Sequence, residues 1–377
     1  MTIHLRSAFV LFVLGASPLA AQGSLSQQGF GYPAGVVSAR AMGGGGAFQE
    51  FDPRSARNPA SIGAWGQPAL YMQYEPEFRR VSSAGEADQT RLTRFPLLSG
   101  SVPVGSRMAL GASASTFLDR SWETLRRGTQ QIGPDSVDFV ERYHTNGAVN
   151  DLRVSVARQL AERFWVGVAG HAFVGGNRVR LTRTFSDSQT FGGLDDTLKL
   201  GYVGSAFSAG AIWTPVASIS LAASGRLGRQ LRVTSNDTIL GRADIPNSYS
   251  FAIRFDGIPG ASFAARAERT LWSSLSTLGS ASATAVDAWD YSIGLEATAT
   301  PGRAAPILYR AGYRDRGLPF LANGQAIKER SVTAGATLPL SGERAGIDLA
   351  VWRSVRRGAP STDESAWVIS LGLTVRP

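Results

Sequence analysis

The chain has 377 residues, no cysteine and a formal net charge of +9, carried almost wholly by arginine, since Lys199 and Lys328 are its only lysines. That composition excludes a disulfide scaffold and any cysteine-ligated metal. A basic balance can serve nucleic acid, but the export signal at the N-terminus sets that partner aside and leaves lipid phosphates as the better acidic counterpart.

Residues 1–21 read as a secretory signal. Arg6 supplies the positive region, Ala8–Gly15 a short apolar core, and Ala16-Ser17-Pro18-Leu19-Ala20-Ala21 a small-residue cleavage site, with Gln22 first in the mature chain. The apolar core is too short to span a bilayer as a helix, and no later stretch reaches 18 apolar residues. A β-barrel is not excluded by this, because its strands alternate faces and are only moderately hydrophobic on average.

Gly31–Gly66 is dense in glycine and proline, so neither a long helix nor a central strand fits it. Its apolar residues, among them Val36, Met42, Phe48 and Ile62, anchor an irregular segment that needs a surrounding wall to satisfy its backbone. The ordered set Ser38–Gly43, Gly45–Phe48, Asp52, Pro53, Ala56 and Asn58–Ala60 resembles the N-terminal signature of the FadL-type outer-membrane transport proteins. The resemblance implies a fourteen-stranded barrel plugged by this segment as a hatch, and passive uptake of long-chain fatty acids or aromatic hydrocarbons. The sequence departs from the pattern at Arg57, where the family often carries an aromatic. The hatch motif is Gly43, Gly44, Gly45, Gly46, Asn58, Pro59 and Ala60. The glycines suit moving points, and Asn58 suits a lock against the wall.

From Gln67 the pattern has period two. Trp289, Tyr291, Ile293, Leu295 and Ala297 share one face; Asp290, Ser292, Gly294, Glu296 and Thr298 share the other. Trp367–Val375, Tyr249–Phe255 and Ile307–Arg314 repeat it, as half-buried strands do. Short turn signals fall near Pro103–Ser106, Ala161–Arg163, Thr214–Ser218, Asp256–Gly260, Thr300–Ala305 and Leu340–Arg344. Longer polar stretches lie between them, near Gly128–Thr145, Ser186–Thr197, Ser235–Pro246, Ser273–Asp287, Arg316–Ile327 and Arg356–Glu364, with Val81–Gln89 as the first. Tight periplasmic turns alternating with longer outer loops are the asymmetry of an outer-membrane barrel. Both barrel ends on the periplasmic side then give about fourteen strands.

No blade-length repeat supports a propeller. A sandwich also alternates, and parity alone does not say which face is inside. Trp65, Tyr71, Trp165, Trp213, Trp272, Trp289, Trp352 and Trp367 fall near strand ends, where girdle residues would lie. Within Gly128–Gly147, Phe139, Val140 and Tyr143 share a helical face after Pro134 and Asp135, so a short outer helix is expected there, packed on the rim or offering a capture surface. The chain closes on Val375-Arg376-Pro377, without the terminal aromatic common in bacterial barrels.

No catalytic residue, cofactor or metal is expected. Of the three histidines His4 leaves with the leader, His144 is in a loop and His171 has lumen parity, so spacing offers no Ser-His-Asp set. Gly43–Gly46 lacks the Gly-Lys-Ser/Thr ending of a phosphate loop. The lumen face carries Arg153, Arg226, Arg254, Arg266, Arg310 and Arg314 beside Glu268, Asp290, Glu296 and Asp348. These either pair as ladders that brace the wall and hold the hatch, or leave one arginine to receive the acid end of an amphipathic substrate. The candidates singled out are Arg254, Arg266, Arg310, Arg314 and Glu296. A second set, Arg126, Arg127, Arg178, Arg180, Arg183, Arg229, Arg232, Arg353, Arg356 and Arg357, falls toward the outer ends, as lipopolysaccharide-phosphate contacts or as a solvated rim.

The expectation is an all-β, transmembrane, antiparallel up-and-down barrel of about fourteen strands with an N-terminal lumenal hatch. Residues 1–21 are the signal peptide, 22–66 the hatch and 67–377 the barrel. The expected location is the bacterial outer membrane, and the expected function passive uptake of hydrophobic or amphipathic small molecules, without enzymatic activity. The alternative is an interaction or anchor barrel serving protein secretion, with a secretion-machinery partner.

Overall fold

The structure is a computed structural model that describes residues 25, 31–83, 86–188, 190–278, 284–299, 306–322, 324–340, 344–359 and 362–376. The expected leader, its cleavage site and Gln22 lie outside the described residues. No described helix is long and apolar enough to cross a membrane, so any crossing is made by strands.

The strands are β1 (Ala69–Ser83), β2 (Glu86–Arg94), β3 (Leu97–Val104), β4 (Met108–Asp119), β5 (Trp122–Ile132) and β6 (Asp135–Ala161). Next come β7 (Phe164–Phe185), β8 (Leu194–Val216), β9 (Ile219–Ser235), β10 (Thr238–Asp244), β11 (Ser248–Ile258) and β12 (Ala261–Thr270). The last are β13 (Ala288–Thr298), β14 (Leu308–Ala322), β15 (Gln325–Leu340), β16 (Ala345–Ala359) and β17 (Thr362–Val375). All pairings are antiparallel. β1 pairs with both β3 and β17, which closes a 14-stranded transmembrane barrel. Closure leaves no sheet edge in the membrane-spanning band, as a bilayer demands. β2, β5 and β10 are outer extensions, laddered only to β1, β6 and β9 respectively.

Parity follows the sequence. Leu70, Met72, Phe207, Ile293, Val332 and Leu371 point outward and are exposed, while Ser99, Ser155, Ser292, Thr333 and Ser370 point inward and are buried. An apolar exterior around a polar interior is the inverse of a soluble sandwich and suits lipid.

Four expectations need correction. Residues 128–147 form no helix: β5 and β6 make a long hairpin, with Phe139 buried and Val140 exposed on opposite faces. Similarly, most of the polar stretches taken as outer loops continue the strands beyond the membrane. Water wets both faces there, so the apolar alternation that marks a strand fades while its hydrogen bonds persist. The aromatic girdle is also smaller than expected. Trp213, Trp289 and Trp367 are on the exterior, but Trp65, Tyr71, Trp272 and Trp352 are buried inside, and Trp165 packs against Ile62. Finally, Arg356 is wholly buried in the lumen rather than at a lipid-facing rim, because a parity step of one residue turns a side chain through the wall.

Candidate functional site

The N-terminal segment 31–66 lies inside the barrel. Its short helix Ala39–Gly43 is capped by Ser38, whose Oγ accepts from the Ala41 amide at 3.0 Å. Asp52 ties the segment together: Ser38 and Ser55 both donate to its carboxylate, and Ser55 Oγ accepts from the Ser38 amide at 3.0 Å. Burial opposes charge on Asp52, but Arg54, Arg40 and these hydroxyls outweigh it and hold the carboxyl below its ordinary range.

Two glycine windows seat the segment on the wall. Gly294, Gly312 and Gly335, on β13, β14 and β15, face the run Gly43–Gly46. A Cβ at Gly312 would sit 2.2 Å from the Gly44 carbonyl carbon, and one at Gly335 would sit 2.8 Å from the Gly43 Cα. Gly45 has φ +70 and a Cβ there would meet Tyr313 backbone at 2.9 Å, so glycine is required on both counts. The second window is the cross-strand pair Gly167 and Gly210. A Cβ at Gly167 would meet Ala60 N at 2.5 Å, and one at Gly210 would meet Asn58 Oδ1 at 2.1 Å. Asn58 caps the 3-10 helix Pro59–Trp65, accepting from the Ala60 amide at 2.9 Å, and its Nδ2 donates to the Ala211 carbonyl at 3.3 Å.

Asn58→Ala removes both bonds and leaves the Ala60 amide without its acceptor. The expected loss is about 1–2 kcal/mol of local stability, read as roughly tenfold faster amide exchange at Ala60 and Ser61 with the strand ladders unaffected. Exchange equal to the parent's would show that Asn58 does not hold the segment.

The candidate arginines all engage carboxylates. Arg310 donates to Glu296 at 2.6 Å, and Glu296 also meets Arg40 of the segment at 3.0 Å. Arg266 meets Glu268 and Asp290, both at 2.6 Å. Arg314 donates to Asp290 at 2.9 Å, and Arg254 to Asp256 at 2.8 Å. Arg57, the residue that departs from the resemblance, meets Glu268 and so joins the segment to this ladder. Arg266, Arg310 and Arg314 thus pair across neighbouring strands, whereas Arg254 pairs along its own strand.

Arg226 differs. Among the described residues it makes no ion pair with a carboxylate; its guanidinium donates to the Pro246 carbonyl at 3.3 Å and lies 5.1 Å from the Phe117 ring centroid and 5.7 Å from that of Phe173. Those rings belong to an apolar cluster in the outer half of the lumen, with Tyr202, Leu231, Trp272 and Phe320. Beneath the cluster a cavity of about 90 Å³ touches Val36 and Arg57 of the segment, Phe117, Trp272 and Arg226. Sequence placed Arg226 on the lumen face but could not single it out, since its lack of a carboxylate partner depends on strands distant in sequence.

The fold also assembles what spacing did not offer. His171 Nδ1 lies 2.9 Å from both oxygens of Asp151, and Nε2 lies 2.8 Å from Ser208 Oγ, across β6, β7 and β8. The order of contacts is that of a hydrolase triad. The space beside it is about 10 Å³, closed by Val36, Ala56 and Arg57. The three strands that carry it are held to one another by continuous ladders. With the segment seated, the relay can brace three strands but cannot admit a substrate. No cluster able to hold a metal occurs among the described residues.

At the start of the segment, Tyr32 stands within a buried ionic belt. Its ring lies 5.3, 5.0 and 4.9 Å from the guanidinium carbons of Arg94, Arg316 and Arg356. Its hydroxyl donates to Glu329 at 3.1 Å and accepts from Arg356 at 3.1 Å. Tyr32 and Asp119 exchange backbone hydrogen bonds of 2.8 Å at the point where β2 and β5 part company. Among the described residues no ladder joins β2 to β5, so the outer wall is thin beside Tyr32.

No protein of curated function matches the sequence. Solved structures share the fold. A FadL homologue of Pseudomonas aeruginosa is 15% identical, with 92% of this chain and 99% of that one covered at a TM-score of 0.64. The toluene transporter TbuX of Ralstonia pickettii is 15% identical, covering 91% and 99% at 0.59. The toluene transporter TodX of Pseudomonas putida is 14% identical, covering 90% and 99% at 0.57. At such identities the likeness is one of fold, and it bears out the barrel that the N-terminal resemblance implied. The family profile that matches carries a different name, BamG, and spans residues 6–253. That match extends over well over half of the sequence, from the first residues through the hatch motif and the wall as far as β11, and on its strength the chain belongs to the BamG family.

Proposed function

We propose that this protein is an outer-membrane channel for passive uptake of hydrophobic or amphipathic small molecules, with residues 22–66 as its hatch and 67–377 as its barrel. The observation that carries the reading is Arg226, a buried cation with no carboxylate partner among the described residues, set under an aromatic cluster and beside a cavity that touches the hatch. A weak acid with an apolar tail matches that pairing: the carboxylate meets a guanidinium fork, and the tail displaces ring contacts among Phe117, Phe173 and Trp272. The cavity is too small for such a molecule with the hatch seated, so entry requires the hatch to shift. Toluene transport by the structural neighbours supports an apolar cargo.

Uptake of a labelled long-chain carboxylate and of toluene would be compared in cells with the parent protein, with Arg226→Gln and with no such protein. Loss of a charge-assisted bond of roughly 1.5–3 kcal/mol is expected to lower carboxylate uptake about tenfold and toluene uptake little. Parent uptake no higher than in cells lacking the protein would defeat the transport reading.

A second reading, an interaction barrel serving protein secretion, is favoured by the outer hairpins. Leu125, Val140, Leu194, Ile239 and Leu240 are exposed there, beyond the lipid-facing band. Exposed apolar groups outside the bilayer suit a protein surface.

A further inference from the structure

The exterior of β15 and β16 carries a groove of about 640 Å³ that is distinct from the lumen. Lys328 and Arg330 of β15 and Arg353 and Arg357 of β16 border it, and Val332, Val355 and Tyr313 line its floor. Strand register places these groups at defined heights. Arg353 pairs with Val332 on one side and with Trp367 on the other, and Trp367 pairs in turn with Phe78. Trp367 is 52% exposed and Phe78 44%, so this row is the aromatic edge of the lipid-facing band. Arg330 lies two residues nearer the outer end of β15, and the pair Lys328 and Arg357 two further. Lys328, Arg330 and Arg357 thus stand outward of the aromatic row, at the level of head groups, while Arg353 shares that row with Val332 and Tyr313, at the top of the acyl layer.

Their counter-charges are slight. Arg330 meets Asp315 at 2.9 Å and Arg357 meets Asp363 at 3.9 Å, and both pairs are exposed, where such bridges contribute little. Among the described residues Lys328 and Arg353 have no carboxylate partner. Arg353 instead lies 5.9 Å from the Trp367 ring centroid. A groove with an apolar floor, four cations at its upper border and a lipid-level position is complementary to an anion that carries its own acyl chains.

We infer that this groove binds the phosphorylated head group of an anionic outer-leaflet lipid, with Lys328, Arg330, Arg353 and Arg357 on the phosphate and an acyl chain along Val332 and Tyr313. This inference rests on the outer-membrane placement of the barrel but not on what the lumen conducts. Arginine forks phosphate in two bonds while lysine adds a point charge, and each cation near a lipid surface adds attraction. The lipid would mark one side of the barrel and leave the thin wall between β2 and β5 outside its contact.

The full barrel, refolded in detergent, would be offered diphosphorylated lipid A, phosphatidylcholine or inorganic phosphate, and retained lipid counted by native mass spectrometry. The parent is expected to hold lipid A in preference to phosphatidylcholine. K328Q/R330Q/R353Q/R357Q should hold it roughly tenfold more weakly, while R178Q/R232Q, which removes charge elsewhere on the exposed outer strands, should match the parent. Heat-modifiable mobility would show that each variant is folded. Equal lipid A retention by the parent and the quadruple variant overturns the site. Displacement of lipid A by millimolar inorganic phosphate overturns the lipid and leaves a free-phosphate site. Failure of carboxylate uptake with lipid A retention intact would count against the transport reading alone.

Discussion

Ile293→Arg is expected to cost roughly 2–4 kcal/mol of barrel stability in lipid, the penalty for a guanidinium on the lipid face near the bilayer midplane. Ile293 lies midway along β13 and is 59% exposed on the exterior, between the outer row of Trp289 and Tyr291 and the inner end of the strand. Its neighbour Ser292 is buried inside and accepts from Arg266 Nε at 3.3 Å. An arginine at 292 would press on Arg266 and on the turn at Gly46, so Ser292→Ala is the cleaner lumen control, with an expected cost of about 1 kcal/mol or less. Urea unfolding of both variants in bilayers measures the difference. A neutral Ile293→Arg would mean that this face does not meet lipid, and the membrane reading of the wall would fall with it.

Gly312→Leu should have the largest effect on the lumen. Its Cβ would fall 2.2 Å from the Gly44 carbonyl carbon and 2.4 Å from the Gly45 amide. Backbone cannot yield as a flexible side chain can, and overpacking of this kind costs 1–3 kcal/mol or more. The ladders of β14 to β13 and β15 do not depend on the side chain at 312, so the strain is relieved by lifting the Gly43–Gly46 turn. Leakage of a small polar solute through the reconstituted barrel is expected to rise at least severalfold, with residues 31–66 newly open to protease. Gly170→Leu is the matched control, since nothing lies within 4 Å of its Cβ position on the exterior of β7. Parental leakage and protection in Gly312→Leu would show that the turn is not seated by this window.

What the sequence made legible was local or periodic. The parity of Ile293 and Ser292 follows from strict alternation, and the barrel strands follow from the same rule. The outer hairpins were missed because residues such as Arg126 to Gln131 are polar on both faces, so periodicity carries no information once both sides are wet. Trp272 and Trp352 resemble girdle residues in the sequence because each lies near a strand end, whereas the groups that bury them, Phe117 for Trp272 and Val37 and Met42 for Trp352, are distant in the chain. Arg226, the Ser208–His171–Asp151 relay and the glycine windows arise from cross-strand neighbours. A single chain of letters does not show which glycine opposes which backbone, or which arginines are left without a carboxylate.

The seat of the N-terminal segment has a consequence for how the protein is made. Tyr71 Oη accepts from the Ala39 amide at 2.9 Å and packs against Gly372, so the segment is tied to the seam where β1 meets β17. Gly335 on β15 and Asp348 on β16, which also hold it, come late in the chain as well, although the Gly167 and Gly210 window is available earlier. Full seating of the first part of the chain therefore waits for the last parts to arrive, across a long loop whose closure entropy those late contacts must repay. Zipping the cylinder shut and locking its stopper become a single biogenetic step, and a nascent chain lacking its final hairpin would have neither a closed wall nor a fully seated plug.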